Sequence, residues 1–153
     1  MKELEGKVAL VTGAGQGVGE GIALALAAEG VNVVVTGRTE EKLVKTVTAI
    51  SDRGGKALAV VCNVKSSTDM ARAVGETVSH FGGLNILVNN AQEVPNGLLN
   101  DVSDEAFTAG FESGPLATLR LMKLAYPHLK GDGCIVNLAS TVAKSWDMSG
   151  YGA

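Results

Sequence analysis

The chain has 153 residues, a length that suits one domain with a single hydrophobic core, expected over residues 1–153. Hydrophobic residues make up 46% and charged residues 19%, which disfavours a disordered chain, and a net charge of −3 without a basic cluster argues against DNA or RNA as a partner. An acidic start, and apolar runs far shorter than the about 20 residues of a membrane span, predict neither secretion nor a membrane partner and favour a cytoplasmic protein.

Short apolar runs of strand length alternate along the chain with longer stretches of helical apolar spacing. This alternation predicts parallel βαβ units, in which helices cover both faces of a central sheet. The predicted strands are Lys7–Thr12, Asn32–Thr36, Lys56–Cys62, Asn85–Asn89 and Gly133–Ala139. The predicted helices are Gly17–Glu29, Glu40–Arg53, Ser67–Phe81 and Asp104–Lys130, with Thr39 and Ser103 as N-caps and glycines after the helix ends.

The last predicted helix is interrupted by Gly114 and Pro115. Pro115 has no N–H and its ring would clash with the carbonyl of Phe111, which predicts a kink with Pro115 in the first turn of a second helical piece. That piece is apolar around more than one face, which favours packing against another subunit in a homodimer or homotetramer. Packing against the same sheet is the alternative.

The two cysteines, Cys62 and Cys134, lie in apolar, strand-like runs without a CxxC spacing or a nearby pair of histidines. This pattern predicts two buried, reduced thiols, and it indicates neither a disulfide framework nor a metal site.

A glycine-rich segment follows the first predicted strand and opens the first predicted helix. Its glycines allow a sharp turn and a close approach of the backbone to a pyrophosphate, which free N–H groups at the helix N-terminus can then bind. The cofactor-binding residues predicted here are Gly13, Gln16, Gly17, Val18 and Gly19. The residues predicted on the inner side of the helix are Val18, Ile22, Ala25 and Leu26.

The second predicted strand leads into Gly37 and Arg38, where an NAD-preferring site usually carries a carboxylate for the ribose 2′-hydroxyl. Gly37 avoids a carboxylate that would repel a 2′-phosphate, and the guanidinium of Arg38 can bind a phosphate through parallel N–H donors. These residues predict NADP(H) as the preferred cofactor, with NAD(H) possible. The alternative is that Arg38 is a solvated loop charge paired with Glu40 or Glu41.

Polar residues also follow the third and fourth predicted strands, at the carboxyl edge where open α/β sheets bind ligands. Asn63 and Val64 are expected beside the adenine, and Asn90 and Ala91 beside the adenosine ribose. Because Asn is a poor strand residue, Asn89 and Asn90 indicate hydrogen bonds to the cofactor or to neighbouring backbone.

The order of Thr12–Gly19, Asn89-Asn90-Ala91, Ser140 and Tyr151 resembles the short-chain dehydrogenase/reductase family across the chain, most of all its 3-oxoacyl-carrier-protein-reductase-like members. The resemblance implies a Rossmann-type, doubly wound α/β/α fold with strand order 3-2-1-4-5. It also implies an oxidoreductase that transfers hydride between a nicotinamide and a ketone or secondary alcohol. In that family the Ser hydroxyl, here Ser140, orients the substrate carbonyl, and the Tyr hydroxyl, here Tyr151, donates or accepts a proton. A free phenol has a pKa of about 10, so a neighbouring Lys has to lower it.

Four positions depart from the motifs of this family. Gln92 replaces the last Gly of the NNAG motif. Asn63 replaces the Asp that the family usually has beside adenine, and Gly114 replaces the Asn that it usually has at the helix kink. The Lys of YxxxK would fall beyond Ala153, so the sequence is expected to be the front part of a longer protein, with Tyr151 or a later tyrosine as the catalytic one. The alternatives are a nucleotide-binding or sensing protein without turnover, and a NAD-preferring dehydrogenase.

Overall fold

Five strands and the helices between them follow one another in the predicted order. A computed structural model describes residues 3–94, 100–129 and 131–140. The strands are β1 (Val8–Thr12), β2 (Asn32–Gly37), β3 (Ala57–Val61), β4 (Ile86–Asn89) and β5 (Cys134–Asn137). The helices are α1 (Gly17–Ala28), α2 (Glu40–Ser51), α3 (Ser67–Phe81), α4 (Asp104–Phe111) and α5 (Ala117–Ala125).

The strands form one parallel sheet in the order β3-β2-β1-β4-β5, which confirms the predicted order. In the register of this sheet Thr12 at the end of β1 lies beside Thr36, and Asn89 at the end of β4 lies beside Asn137. All the strands therefore deliver their carboxyl ends, and the loops that follow, to the same edge. The Rossmann-type fold is confirmed.

Side chains of the inner strands alternate between two cores, one on each face of the sheet, because successive side chains of a strand point to opposite faces. Leu10, Val34 and Leu87 belong to the core that contains residues of α3 and α5, whereas Val11 and Val35 belong to the core with residues of α1 and α2. These positions are at most 1% exposed, so each larger aliphatic side chain contributes about 1.5–3 kcal/mol of burial. The result is a three-layer α/β/α arrangement.

The predicted N-caps lie where the sequence places them, but they do not act alike. Ser103 Oγ accepts a hydrogen bond from the backbone N–H of Ala106. Ser66, which was not among the predicted N-caps, caps α3, and its Oγ accepts a hydrogen bond from the backbone N–H of Asp69. Thr39 occupies the N-cap position of α2, yet its side chain makes no capping hydrogen bond within the described part of the chain. The cap of α2 is therefore positional only.

Between α4 and α5 the chain stays helical through a five-residue π-helical turn, Glu112–Leu116. The N–H of Ala117 donates to Glu112 O, five residues back, so the wider turn accommodates Pro115 within it. The prediction of Pro115 in the first turn of a second helix is wrong in this respect. Because Pro115 lies within this wider turn, its missing N–H does not end the helix.

The outermost strand corrects one burial expectation, and α5 shows which of its side chains are covered. Cys62 is buried, but Cys134 is exposed with the rest of β5, which pairs with β4 alone among the described residues. In α5, Leu121 is buried against the same core as α3, whereas Leu119 is 44% exposed. Contact of the exposed side with another subunit stays a prediction. None of the described helices is long and apolar enough to cross a membrane.

Candidate functional site

The loop between β1 and α1 depends on glycine at three positions for two different reasons. Gly13 and Gly17 have φ of +65° and +59°, in the left-handed region that side chains disfavour. At Gly19 the constraint is space, since an added Cβ would lie 2.3 Å from Gly13 O and 2.4 Å from Asn90 Nδ2. The first turn of α1 is thus packed directly onto the loop.

Asn90 and Thr12 tie this loop to the end of β4. Asn90 Nδ2 donates to Thr12 O at 2.8 Å and to Gly13 O at 3.3 Å. The buried Thr12 Oγ1 accepts from the N–H groups of Asn90 and Ala91, both at 3.0 Å, and donates to Val88 O at 3.2 Å. Of the two uses that the sequence left open for Asn90, the structure places its amide on neighbouring backbone.

Asn89, the other asparagine of the pair, also bonds within the protein. Its Nδ2 donates to Asn137 Oδ1 at 2.8 Å, between neighbouring positions of β4 and β5. Asn89 is buried and ends β4, so this bond joins the carboxyl ends of β4 and β5.

A cavity of about 450 Å³ opens at the carboxyl edge of the sheet. Its volume lies within the about 300–1,000 Å³ of typical small-molecule and cofactor sites. All ten residues predicted to bind the cofactor line it, so the fold brings the separate motifs to one place. These residues are Gly13, Gln16, Gly17, Val18, Gly19, Arg38, Asn63, Val64, Asn90 and Ala91.

The start of α1 differs from the sequence prediction in which side chains face the core. Val18 is 66% exposed and lines the cavity, while the buried residues of α1 are Gly19 and Ala23. Gly19 faces inward because its lack of a side chain lets the first turn of α1 contact Gly13 in the preceding loop. Gln16 is the N-cap residue, and its Oε1 accepts a hydrogen bond from Lys42 Nζ at the start of α2.

Arg38 directly follows β2 and forms an ion pair with Glu93, which follows β4. Glu40 and Glu41, the partners that sequence proximity suggested, are not the ones that the described structure gives it. Glu93 Oε2 also accepts from Lys65 Nζ at 3.0 Å. The hydrogen bond from Lys65, together with the charges of Lys65 and Arg38, holds the pKa of Glu93 below its usual value.

Asn63 shapes the loop after β3. Its N–H donates to Asp69 Oδ2 at 2.9 Å, and its Oδ1 accepts from the N–H of Lys65 at 3.1 Å. The carboxamide nitrogen of Asn63 carries the donors that could face an adenine ring.

Cys62 also lines the cavity. Burial raises the pKa of its thiol to about 11, so the thiol is neutral there at neutral pH.

The two predicted catalytic residues, unlike the predicted cofactor-binding residues, are not among the described residues that line the cavity. Ser140 lies three residues beyond β5, at the carboxyl edge of the sheet, and is exposed; the cavity lining within the described residues does not include it. Tyr151 lies outside the described residues. The structure therefore brings together the cofactor motifs and leaves the roles of Ser140 and Tyr151 as expectations.

Three polar residues of the cavity, Lys42, Glu93 and Ser113, and the apolar Leu43 were missed by reasoning from the sequence. Lys42 lies four residues after Arg38, in the first turn of a helix whose start was predicted, so it could have been found. Glu93 and Ser113 reach the cavity through tertiary contacts that carry no local signal. In the part of the chain that the structure covers, no cluster of three or more His, Cys, Asp or Glu is arranged to hold a metal ion.

Comparison with known proteins identifies the family. The profile described as short chain dehydrogenase matches residues 7–153. The chain belongs to the short-chain dehydrogenase family. It is similar to the short chain dehydrogenase mdpC of Emericella nidulans, with 38% identity over 146 residues that cover 95% of this chain and 55% of the relative. The chain thus spans about half the length of the curated relatives that it matches.

Solved structures of dehydrogenases agree with the fold. One from Burkholderia cenocepacia J2315, crystallised in complex with NADP, has a TM-score of 0.91 and 34% identity, over 96% of this chain and 60% of that one. A 7α-hydroxysteroid dehydrogenase complexed with NADH and 7-oxo glycochenodeoxycholic acid has a TM-score of 0.89 and 29% identity, over 95% and 58% of the two chains. Both NADP and NADH therefore occur among the neighbours.

Proposed function

We propose that residues 1–153 form the dinucleotide-binding domain of an NADP(H)-dependent oxidoreductase that acts on a ketone or a secondary alcohol. The observation that carries the proposal is a single cavity that runs from the glycine loop to Arg38 at the end of β2. Family membership and the dinucleotides bound by the similar structures support the chemistry. The bound nicotinamide would supply or accept the hydride.

The glycine loop fits a pyrophosphate by its shape and by its polarity. Gly13 and Gly17 adopt left-handed backbone conformations that allow the sharp turn, and Gly19 lets α1 approach the loop closely. The N-terminus of α1 carries a partial positive charge and unpaired N–H groups, which favour an anion. In this proposal Gly13, Gln16, Gly17, Val18 and Gly19 surround the pyrophosphate.

The residues at the ends of β2 and β3 fit an adenosine that carries a 2′-phosphate. Arg38 and Lys42 both line the cavity and place two positive charges near the end of β2, where Gly37 contributes no carboxylate. A guanidinium binds phosphate through paired N–H donors, and a dianionic phosphate gains from a second cation. Asn63 and Val64 would then bound the adenine, and Asn90 and Ala91 the ribose side.

For the chemical step, the family resemblance assigns Ser140 to orientation of the substrate carbonyl and Tyr151, or a later tyrosine, to proton transfer. Ser140 lies at the same sheet edge as the cavity, which is consistent with a substrate held beyond the nicotinamide end. A homodimer or homotetramer and a cytoplasmic location belong to the same proposal and rest on the sequence alone.

The decisive experiment compares the dissociation constants of NADP⁺ and NAD⁺ for the protein and for Arg38→Ala by calorimetry. A charged hydrogen bond is worth about 1.5–3 kcal/mol, so we expect NADP⁺ to bind about 10- to 100-fold more weakly to the variant, with NAD⁺ little changed. Arg53→Ala, an exposed arginine just after α2, is the matched control and should change neither constant. Equal losses for both coenzymes, or tighter binding of NAD⁺ from the outset, would contradict the NADP(H) assignment.

Turnover requires a separate measurement. We expect absorbance at 340 nm to fall when NADPH and a panel of ketones are mixed with a form of the protein that carries the catalytic tyrosine and lysine of the family. Binding of NADP⁺ without turnover of any ketone or secondary alcohol would instead support the nucleotide-binding alternative.

A further inference from the structure

The carboxylate of Glu93 lies between two cations that come from different strands. Glu93 follows β4, and its two oxygens accept hydrogen bonds from Arg38, which follows β2, and from Lys65, which lies in the loop after β3. The sheet order places β1 between β2 and β4, so the Arg38–Glu93 ion pair spans the carboxyl end of β1, from which the glycine loop leaves. Glu93 and Arg38 line the same cavity.

The position of Glu93 is set by its backbone as well as by its side chain. Its N–H donates to Ser113 Oγ at 2.9 Å, and Ser113, only 2% exposed, donates in turn to Ala109 O at 2.8 Å. Ser113 belongs to the π turn, and the side chain of the preceding Gln92 lies about 3.4 Å from where a Cβ on Gly114 would be. The segment that carries Glu93 is therefore held against a buried turn and directed back over the cavity.

A carboxylate held by an arginine and a lysine resembles, in charge and in hydrogen-bond acceptors, one side of a phosphate group. The proposed function places the 2′-phosphate of NADP(H) at Arg38, the cation that Glu93 already occupies. Two anions cannot share these donors without repulsion, and the pKa of Glu93 is lowered, so the carboxylate is charged at neutral pH. NAD(H), which has no 2′-phosphate, makes no such demand on Arg38.

We infer that Glu93 is an internal competitor for the 2′-phosphate and so tunes the preference between the two coenzymes. In the free protein its carboxylate occupies the anion position between Arg38 and Lys65, and it has to leave that position when NADP(H) binds. The inference rests on the proposed function for the identity of the ligand. It adds a selectivity residue that acts against the preference set by Arg38.

The test measures NADP⁺, NAD⁺ and adenosine 2′,5′-bisphosphate binding to the protein and to Glu93→Gln by calorimetry. The Arg38 side chain is 64% exposed in its pair with Glu93, so breaking this pair is worth only a few-fold in affinity, and we expect the variant to bind NADP⁺ and the bisphosphate about 3- to 10-fold more tightly. NAD⁺ should change by less than about twofold, because it does not compete for Arg38. In an Arg38→Ala background the same substitution should give a smaller gain.

The matched control is Glu76→Gln, which removes the same charge from an exposed ion pair with Arg72 at 3.1 Å on α3. We expect this control to change none of the three affinities. The competition would be overturned if the unaltered protein and Glu93→Gln bound NADP⁺ with the same affinity and also bound the bisphosphate with the same affinity. Weaker NAD⁺ binding by Glu93→Gln would also overturn it, since it would mean that Glu93 binds the ribose hydroxyl.

The bisphosphate separates this inference from the proposed function. If Glu93→Gln binds the bisphosphate more tightly while neither protein turns over a ketone with NADPH, the competition holds and the oxidoreductase function fails. If neither protein binds the bisphosphate or NADP⁺, both fail.

Discussion

Replacing Gly19 by alanine tests the idea that the glycine loop is a packed structure and not only a flexible one. The added methyl carbon would lie 2.3 Å from Gly13 O and 2.4 Å from Asn90 Nδ2, about 1 Å inside ordinary contact distance. Either the loop backbone shifts, or Asn90 loses its hydrogen bonds to Thr12 O and Gly13 O. Overpacking costs about 1–3 kcal/mol and each lost hydrogen bond about 1 kcal/mol, so we expect the free energy of unfolding to fall by about 2–4 kcal/mol.

Gly21, two residues further along α1, provides the matched control. It is exposed, and apart from its chain neighbours and the backbone of its own helix no described atom lies within 4 Å of the position of an added Cβ. Alanine in a helix interior is favoured over glycine by about 0.5–1 kcal/mol, so Gly21→Ala should raise the free energy of unfolding by about that amount. The same substitution at two positions of one helix is therefore expected to have opposite signs.

The assay is urea denaturation followed by circular dichroism, with NADP⁺ titrations on both variants. We expect Gly19→Ala to weaken NADP⁺ binding by more than about tenfold, because a shift of the loop misplaces the N–H groups that face the pyrophosphate. Gly21→Ala should bind NADP⁺ as the unaltered protein does. Equal unfolding free energies for Gly19→Ala and Gly21→Ala would refute the steric reasoning.

Four further predictions concern single side chains. Thr12→Val removes a buried hydroxyl that serves two N–H groups after β4, so urea denaturation should show a loss of about 1–3 kcal/mol that Thr12→Ser largely restores. Ser66→Ala should cost about 1 kcal/mol by the same assay, whereas Thr39→Ala, at a cap position without a capping bond, should cost at most a few tenths. Iodoacetamide at pH 8 should alkylate the exposed Cys134 and spare Cys62 in a peptide mass map, because the pKa of Cys62 is raised from 9.0 to about 11. The stabilisation from the neutral Cys62 thiol should be complete below about pH 9 and decline as the pH rises toward 11. The measurement is the difference in unfolding free energy between the protein and Cys62→Ala across this pH range. A difference that does not change with pH would contradict the prediction.

Features that depend on residues close together in the sequence were predictable without the structure. The valine-rich runs of β1 and β2 have the composition of buried parallel strands, and the glycine loop between a strand and a helix is a local pattern with a local physical reason. Arg38 was found by its distance along the chain from those glycines. The βαβ arrangement and the cofactor side of the site follow from signals of this kind, whereas the strand order was implied by the family resemblance.

Contacts between distant residues were not predictable. The amide of Asn90 bonds to backbone 77 and 78 residues earlier, so the sequence left open whether it binds cofactor or protein. The predicted strand order placed β5 at the edge of the sheet, but the exposure of Cys134 depends on whether other elements cover the faces of β5, which an apolar run does not reveal. Pro115 signalled an interrupted helix, but whether the helix kinks or widens into a π turn depends on the packing around it.

The sequence by itself determined the order of strands and helices, the glycine loop and the cation at the end of β2, since each depends on side-chain spacing or on backbone conformation within a few residues. Only the tertiary structure decided that Glu93 returns across β1 to bond Arg38 and that Ser113 fixes it there. Hydrogen bonds and ion pairs of this kind depend on distances in space, and those distances exist only once the sheet has brought the carboxyl ends of its strands together.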